Sequence, residues 1–285
     1  PEGDLASYLQ FTANLPRFDS PEVFGLHQNA DITAARKDTT SLFDTALLTL
    51  PKSGGEAAGG KTDDTLLGEL AEDILKKLSP LFDIKVVLAK HPLSYSESLN
   101  TVLVKDLERF NRLIAVVRST LQDAEKAVQG LVVMSGDLEA LCTSMLIGKV
   151  PAMWSAKAYP SNKPLATWIS DLNGRCRFMT KWVNDGIPTV FELPSFYFPQ
   201  AFLTGMLQNY SRATKVAINE LFIEFEVVKP DWKPPEDAMA EGGYVSGLFL
   251  EAAVWDPRRN SLAEAMPRQL FVDMPVLYFK PARKG

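Results

Sequence analysis

The chain has 285 residues, 46% of them hydrophobic and 23% charged, which predicts a globular protein with a sizeable core and excludes a disordered one. A net charge of -5 and a pI near 5.3, with basic residues scattered along the chain, exclude nucleic acid and anionic membranes as expected partners. There is no long apolar run and no signal-peptide pattern, so no membrane span is expected, and a first residue that is proline suggests a fragment of something longer.

The first half of the sequence predicts helices. Asp4 can cap a short first helix, and Asp31 can cap a second helix, which Pro51 ends. A third helix is expected to begin at Thr62 or Asp63, where a hydroxyl or carboxylate precedes leucines at helical spacing.

The clearest periodicity lies between Ser96 and Val128, where apolar residues alternate steps of four and three, as in a heptad seam. At about 1.5 Å per residue this helix would be roughly 50 Å long. Two interpretations stay open: the helix spans neighbouring units or lies along a large partner, or neighbouring helices of the same domain cover its seam. The seam residues are Leu103, Leu107, Phe110, Ile114, Val117, Leu121, Ala124 and Val128.

Three more helices and then several strands are predicted in the second half. Ser135 opens one helix, Pro164 lies at the start of another that ends before Gly186, and Pro199 begins the last. Near Lys215 the hydrophobic period changes to two, and the segments LFIEFEVV, YVSGLFLEAAVW and PVLYF predict strands. The fold class is therefore α+β, with an antiparallel β unit in which strand follows strand and closure protects the edges.

The residue types that carry most enzyme chemistry are sparse. Cys142 and Cys176 each lie in an apolar helical stripe outside any C-x-x-C pair, which predicts buried, reduced thiols in an intracellular protein. His27 and His91 lack a metal-binding partner at helical spacing, and the aromatic run Phe196 to Phe198 is more typical of a core than of a ligand cage. We therefore expect no catalytic residue and no metal site.

The segment GEAAGGKT, Gly55 to Thr62, matches the P-loop spacing G-x-x-x-x-G-K-[ST], in which backbone N–H groups and a lysine hold phosphates. A working P-loop follows a buried strand, whereas the residues before this one have helical spacing and end at Pro51. The best acidic partner, Asp137, fits the start of a helix instead. A glycine-rich surface loop without a cofactor is therefore predicted, and a stand-alone P-loop nucleotide-binding protein stays the alternative. The residues in question are Gly55, Gly60, Lys61 and Thr62.

Several longer segments resemble the C-terminal domain of axonemal dynein heavy chains. Their sequences are closer to those of ciliary dyneins than to those of the cytoplasmic type. They cover nearly the whole chain in order, and PVLYFKP stands just before the C-terminus, as in that family. One departure is confined to a turn, where Phe191 to Ser195 replace a tryptophan followed shortly by Ser-Gly. The segments are DSPEVFGLHQNADIT (19–33), QGLVVMSGDLE (129–139), VPAMW with AYPSNKPLATWISDL (150–172), FYFPQAFLTGMLQNYSR (196–212), INELFIEFEV (218–227) and YVSGLFLEAAVWD (244–256).

The resemblance implies a helical bundle followed by a C-terminal antiparallel partial β-barrel, packed on the AAA+ ring of a motor. Residues 1–20 would be the tail of the sixth AAA+ module's lid, 21–214 the helical part and 215–285 the barrel-like part. The implied function is structural and regulatory, modulating microtubule-based motility in a ciliary or flagellar axoneme. ATP, magnesium and microtubules would bind other parts of the heavy chain, and the partners of this domain would be the ring and the subunits of the dynein complex.

Overall fold

The structure, a computed structural model, describes residues 3–15, 19–49, 63–229, 231–239 and 241–284. Contacts divide the chain into two compact units, which we call the smaller unit and the larger unit. The smaller unit is Pro1–Ser53 with Phe249–Met274, and the larger unit is Gly54–Leu248 with Pro275–Gly285. The division of the chain at residues 20 and 214 stays a prediction.

Helices precede most of the strands, which confirms the predicted α+β class. The described helices are α1 (Leu5–Asn14), α2 (Ala30–Thr49), α3 (Asp63–Lys77), α4 (Ile84–Lys90), α5 (Ser98–Val128), α6 (Gly136–Leu146), α7 (Ala152–Ser155), α8 (Leu165–Asp185) and α9 (Pro199–Thr214). The described strands are β1 (Val190–Glu192), β2 (Leu221–Val227), β3 (Gly243–Ser246), β4 (Phe249–Glu251), β5 (Ala253–Asp256), β6 (Ser261–Glu264), β7 (Phe271–Asp273) and β8 (Leu277–Arg283). Among these helices, none has the length and apolar character that crossing a bilayer requires.

Side-chain caps fix several helix starts where the sequence predicts them. Asp4 Oδ1 accepts the Ser7 N–H at 2.9 Å at the start of α1, and Ser135 Oγ accepts the Leu138 N–H at 3.3 Å at the start of α6. The assignment of Asp31 as a cap is wrong, because α2 already begins at Ala30. A carboxylate in the first turn still stabilises the helix through its dipole.

The long helix α5 is the centre of the larger unit. Its seam is fully buried from Leu103 to Ala124, and only Val128 at its end is half-buried. The helices α3, α4, α6, α7, α8 and α9 all contact it. Of the two interpretations of the seam, cover by neighbouring helices of the same domain is therefore confirmed.

Aromatic side chains fill the space between α8, α9 and the sheet of the larger unit. Trp182 contacts Phe191 of β1 with ring centroids 5.5 Å apart, and Phe202 of α9 lies 4.6 Å from the same ring.

Both cysteines are free and buried, as predicted. Burial raises the pKa of Cys176 to about 11, so its thiol is protonated at neutral pH.

The larger unit contains a four-stranded sheet with the order β1-β3-β8-β2. The strand β8 is antiparallel to both its neighbours, while β1 is parallel to β3. The expectation that each strand pairs with the next one is wrong here, because β2 lies beside β8. The described strands form no closed barrel, which agrees with a partial barrel. The expectation that closure protects the edges is wrong for these strands, because β1 and β2 lie at the two ends of the sheet.

The segment YVSGLFLEAAVW, predicted as one strand, is split into β3, β4 and β5. The breaks lie at Gly247 and Ala252, whose φ angles are +81° and +54°. Both angles fall in the left-handed region, which ends a strand. A Cβ on Gly247 would also lie 2.7 Å from Cδ of Pro194, so only glycine fits there. In the smaller unit, β4 pairs with β7 and β5 with β6, both antiparallel.

A polar clamp holds the smaller unit together. The Asn29 side chain donates through Nδ2 to the Gln269 carbonyl and accepts the Arg268 N–H at Oδ1, both at 2.9 Å. These bonds tie the segment before α2 to the turn before β7. Among the described residues of this unit, only Pro21, Asn29 and Ala265 are buried. The described part of this unit therefore has almost no apolar core of its own.

Candidate docking surface

The P-loop spacing of the sequence lies at Gly55 to Thr62. Gly55, Gly60, Lys61 and Thr62 lie outside the described residues, so their interpretation as a surface loop stays a prediction. Asp137, its candidate acidic partner, lies in the first turn of α6 behind the Ser135 cap. That position confirms the interpretation of Asp137 as part of a helix start.

The two histidines make separate structural contacts. His27 Nδ1 accepts the Asn29 N–H at 3.1 Å, and its Nε2 lies 3.5 Å from Oε1 of Glu264. His91 ends α4 and its Nε2 lies 3.1 Å from the Val183 carbonyl. In the described ranges, no three His, Cys, Asp or Glu side chains come together as metal ligands would. The expectation that the chain has no metal site stays a prediction.

The aromatic run Phe196 to Phe198 divides between core and surface. Phe196 is buried, as the core interpretation requires, and Tyr197 packs edge-on against Phe110 of α5 at 5.2 Å. Phe198 is half exposed, with the Arg109 guanidinium 5.7 Å from its ring centre. The run fastens the start of α9 to α5.

Asp106 is a buried charged residue that sequence reasoning missed. Its Oδ2 accepts the Tyr197 N–H at 2.9 Å and its Oδ1 lies 3.1 Å from Arg109. Burial raises the pKa of this carboxyl, against the opposing effect of both contacts. The signal was its spacing, since Leu103, Asp106 and Phe110 share one helix face. Its bonds to backbone and arginine indicate a structural role.

An exposed apolar turn joins α5 to α6 in the larger unit. Gly130, at φ +72°, ends α5, and the Leu131 N–H donates to the Lys126 carbonyl at 2.9 Å. The next helix is capped by Ser135. Between these fixed points lie Leu131, Val132, Val133 and Met134, which we call the apolar turn.

All four side chains of the apolar turn face solvent, and Val133 is 89% exposed. Four adjacent exposed apolar residues are typical of an interaction site, because these side chains gain hydrophobic stabilisation only when a partner surface covers them. The turn is held between two capped helix ends, so its backbone requires little ordering when a partner binds. The string LVVM between a glycine and a serine cap was the sequence signal for it.

The helix α1 in the smaller unit is a second uncovered apolar surface. None of its residues is buried, and Leu5, 75% exposed, lies one turn from the exposed Leu9. A helix of ten residues is marginal in water unless an apolar face is packed. Both surfaces are therefore suited to docking against apolar partner surfaces.

Comparison with known proteins identifies close relatives along the whole sequence. A family model described as the C-terminal domain of the dynein heavy chain matches residues 36–285. Human dynein axonemal heavy chain 12 is 47% identical over 287 residues, which cover 100% of this chain and 9% of the relative. Mouse dynein axonemal heavy chain 3 is 46% identical over 285 residues, covering 100% and 7%. Rat dynein axonemal heavy chain 1 is 44% identical over 281 residues, covering 99% and 6%. The chain thus spans less than a tenth of each of these relatives.

Proposed function

Because the chain belongs to the family of C-terminal domains of dynein heavy chains, we propose that it is a non-catalytic structural and regulatory domain of a motor heavy chain. Its relatives are axonemal heavy chains, which assigns it to the cytoskeleton of a ciliary or flagellar axoneme. The domain packs on the AAA+ ring of the same heavy chain and modulates how the motor moves along microtubules. Dynein complex subunits are its further partners, and microtubules bind other parts of the motor.

The apolar turn is the observation that carries this proposal. A domain that acted alone would leave four adjacent apolar side chains in water, at a cost of roughly 25 cal/mol for each Å² of apolar surface left uncovered. Packing against a large neighbouring surface removes that cost. The apolar face of α1, in the smaller unit, is also exposed, so it independently supports the need for a neighbouring surface that covers it.

The proposal assigns ATP and magnesium to other parts of the heavy chain. We expect the 285-residue chain neither to bind nor to hydrolyse ATP, because its P-loop spacing follows a helical segment rather than a buried strand. Calorimetry with ATP and magnesium checks this. Micromolar binding that disappears in Lys61→Ala would instead support the P-loop alternative.

Docking is tested in the intact heavy chain with two variants of one residue. Val133→Asp places a charge in the apolar turn, whereas Val133→Ile keeps it apolar. Because Val133 is almost fully exposed, both variants should leave the stability of the isolated chain within about 0.5 kcal/mol of the parent. In the heavy chain, Val133→Asp should speed hydrogen exchange across Leu131–Met134 and change gliding velocity, while ATP turnover persists.

The matched variant and the isolated chain supply the controls. Val133→Ile should exchange and move like the parent, since it retains the apolar contact. Amides of the apolar turn that exchange equally fast in the isolated chain and in the intact heavy chain would contradict docking through this surface.

A further inference from the structure

The strand β2 forms a long open edge of the four-stranded sheet. Its seven residues span about 23 Å at roughly 3.3 Å each, and β8 is its neighbour on one side. In the described part of the chain no strand pairs with its other side. Natural proteins blunt such edges with prolines, bulges, charges or cover, because an open edge is a template for another strand.

The hydrogen-bond register shows which backbone groups point outward from the sheet. The Lys284 N–H donates to the Glu220 carbonyl at 2.7 Å, and the Val228 N–H donates to the Val276 carbonyl at 3.0 Å. Both bonds continue the register of β2 with β8 at even-numbered positions of the β2 segment. Since bonded and non-bonded pairs alternate in an antiparallel ladder, Ile223, Phe225 and Val227 direct their N–H and C=O groups to the open edge.

The side chains of β2 alternate in chemistry along this edge. Phe222, Glu224 and Glu226 share one face, and Glu226 lies 3.8 Å from Lys280 of β8. The opposite face carries Phe225, which packs edge-on against buried Phe279 at 4.8 Å yet remains 63% exposed. A strand beside β2 would cover this ring and lie opposite both carboxylates.

We propose that the edge of β2 binds an extended segment of a partner protein in which basic and apolar residues alternate. The segment adds as a fifth strand, its backbone pairs with Ile223, Phe225 and Val227, and its basic side chains lie opposite Glu224 and Glu226. Opposite charges in facing positions stabilise a strand pair, and like charges destabilise it. This interface is separate from the apolar turn proposed above.

The two glutamates argue against a second copy of this chain as the occupant. In antiparallel self-pairing centred on Phe225, each Glu224 lies opposite a Glu226, which places four carboxylates together. The nearby cation Lys280 already lies beside Glu226 in the single chain, so it does not offset the added repulsion. A basic strand removes the repulsion and satisfies the same backbone groups.

The test uses synthetic peptides that alternate valine with lysine or valine with glutamate, added to the 285-residue chain at low salt. The lysine peptide should bind more tightly by about tenfold, since two facing pairs change from attraction to repulsion. Its binding should slow hydrogen exchange at the amides of Ile223, Phe225 and Val227. The double variant Glu224→Lys with Glu226→Lys should reverse the preference, because both side chains are exposed and need no repacking.

A second variant tests the backbone pairing. Phe225→Pro removes a donor that faces the open edge and leaves the ladder with β8 intact, so it should abolish peptide binding. If this variant unfolds, the charge-reversed double variant still decides the question. Equal binding of both peptides, or no slowing at the three amides, would overturn the proposal. A dimer that protects these amides would identify a second copy instead, and amides already protected in the intact heavy chain would identify its own ring.

Discussion

The helices α5 and α1 are both amphipathic, yet the apolar face of α5 is buried and that of α1 is exposed. Six neighbouring helices cover the seam of α5, whereas α1 buries none of its residues. The difference extends to the units that contain them: the larger unit has an extensive aromatic and aliphatic core, and the described part of the smaller unit has almost none. Amphipathic spacing therefore marks a face that must be covered, but it does not say by what.

The two units also differ in the interactions that hold their segments together: apolar packing in the larger unit and hydrogen bonds in the smaller one. In the larger unit, polar groups such as Asp106 add to a core that is already dense. In the smaller unit, the clamp of Asn29 joins the segment before α2 to the turn before β7 through two hydrogen bonds. Mutations in the two units should consequently differ in how much unfolding free energy they cost and in how far from the mutated residue their effects extend. Three substitutions test that difference.

The largest effect is expected at Phe110, at the centre of the α5 seam. Phe110→Ala should cost about 3 to 5 kcal/mol of unfolding free energy, because the fully buried ring leaves a cavity. Chemical denaturation of the isolated chain measures it. The matched control is Phe198→Ala, which removes a half-exposed ring and should cost about 1 kcal/mol or less. Equal costs for the two variants would show that the seam is not the core of the larger unit.

An intermediate effect is expected at Asn29. Asn29→Ala removes two hydrogen bonds and leaves their backbone partners unpaired, at a cost of about 1 to 3 kcal/mol. The effect should be local, appearing as hydrogen exchange at the Arg268 amide more than about fivefold faster. Asn29→Asp keeps the hydrogen-bond acceptor, so its stability cost and its exchange rate at the Arg268 amide should lie between those of the parent and of Asn29→Ala. Asn14→Ala, at an exposed position of the same unit, should change neither quantity. Faster exchange at every amide would mean that the clamp is not local to the smaller unit.

The smallest effect is expected at Phe11 in α1. Phe11→Ala makes the same chemical change as Phe110→Ala, but the ring is exposed, so the isolated chain should lose less than about 0.5 kcal/mol. Circular dichroism and thermal unfolding measure it. If the domain docks as proposed, the same variant should have a larger effect in the intact heavy chain, because a partner surface would cover α1 there. A large loss in the isolated chain would place this ring in its own core.

Local signals predicted the helices more reliably than the sheet. Caps and prolines located α1, α6 and α9 to within a residue or two, because capping acts through neighbours in sequence. Strand pairing was predicted less well: β2 joins β8 rather than β3, and Gly247 and Ala252 divide one apparent strand into three. Such pairings join residues far apart in the sequence, which alternation alone does not identify.

The candidate surfaces show the same limit. The string LVVM could be recognised as apolar, but only the positions of α5 and α6 show that it is uncovered. Asp106 was not singled out from the sequence, yet the fold buries it and it accepts the Tyr197 N–H. Burial depends on which elements meet, so composition and spacing cannot assign it.

By itself, the sequence determined the α+β class, the long seam, the buried thiols and the resemblance to a dynein C-terminal domain. All of these follow from residue type and short-range spacing, which survive in any unfolded copy of the protein. Only the tertiary structure decided that α5 is covered from within, that α1 and the apolar turn are not, and that β2 is an edge among the described strands. Those outcomes depend on contacts between distant segments, and the free energy of such contacts is realised only when the segments pack together.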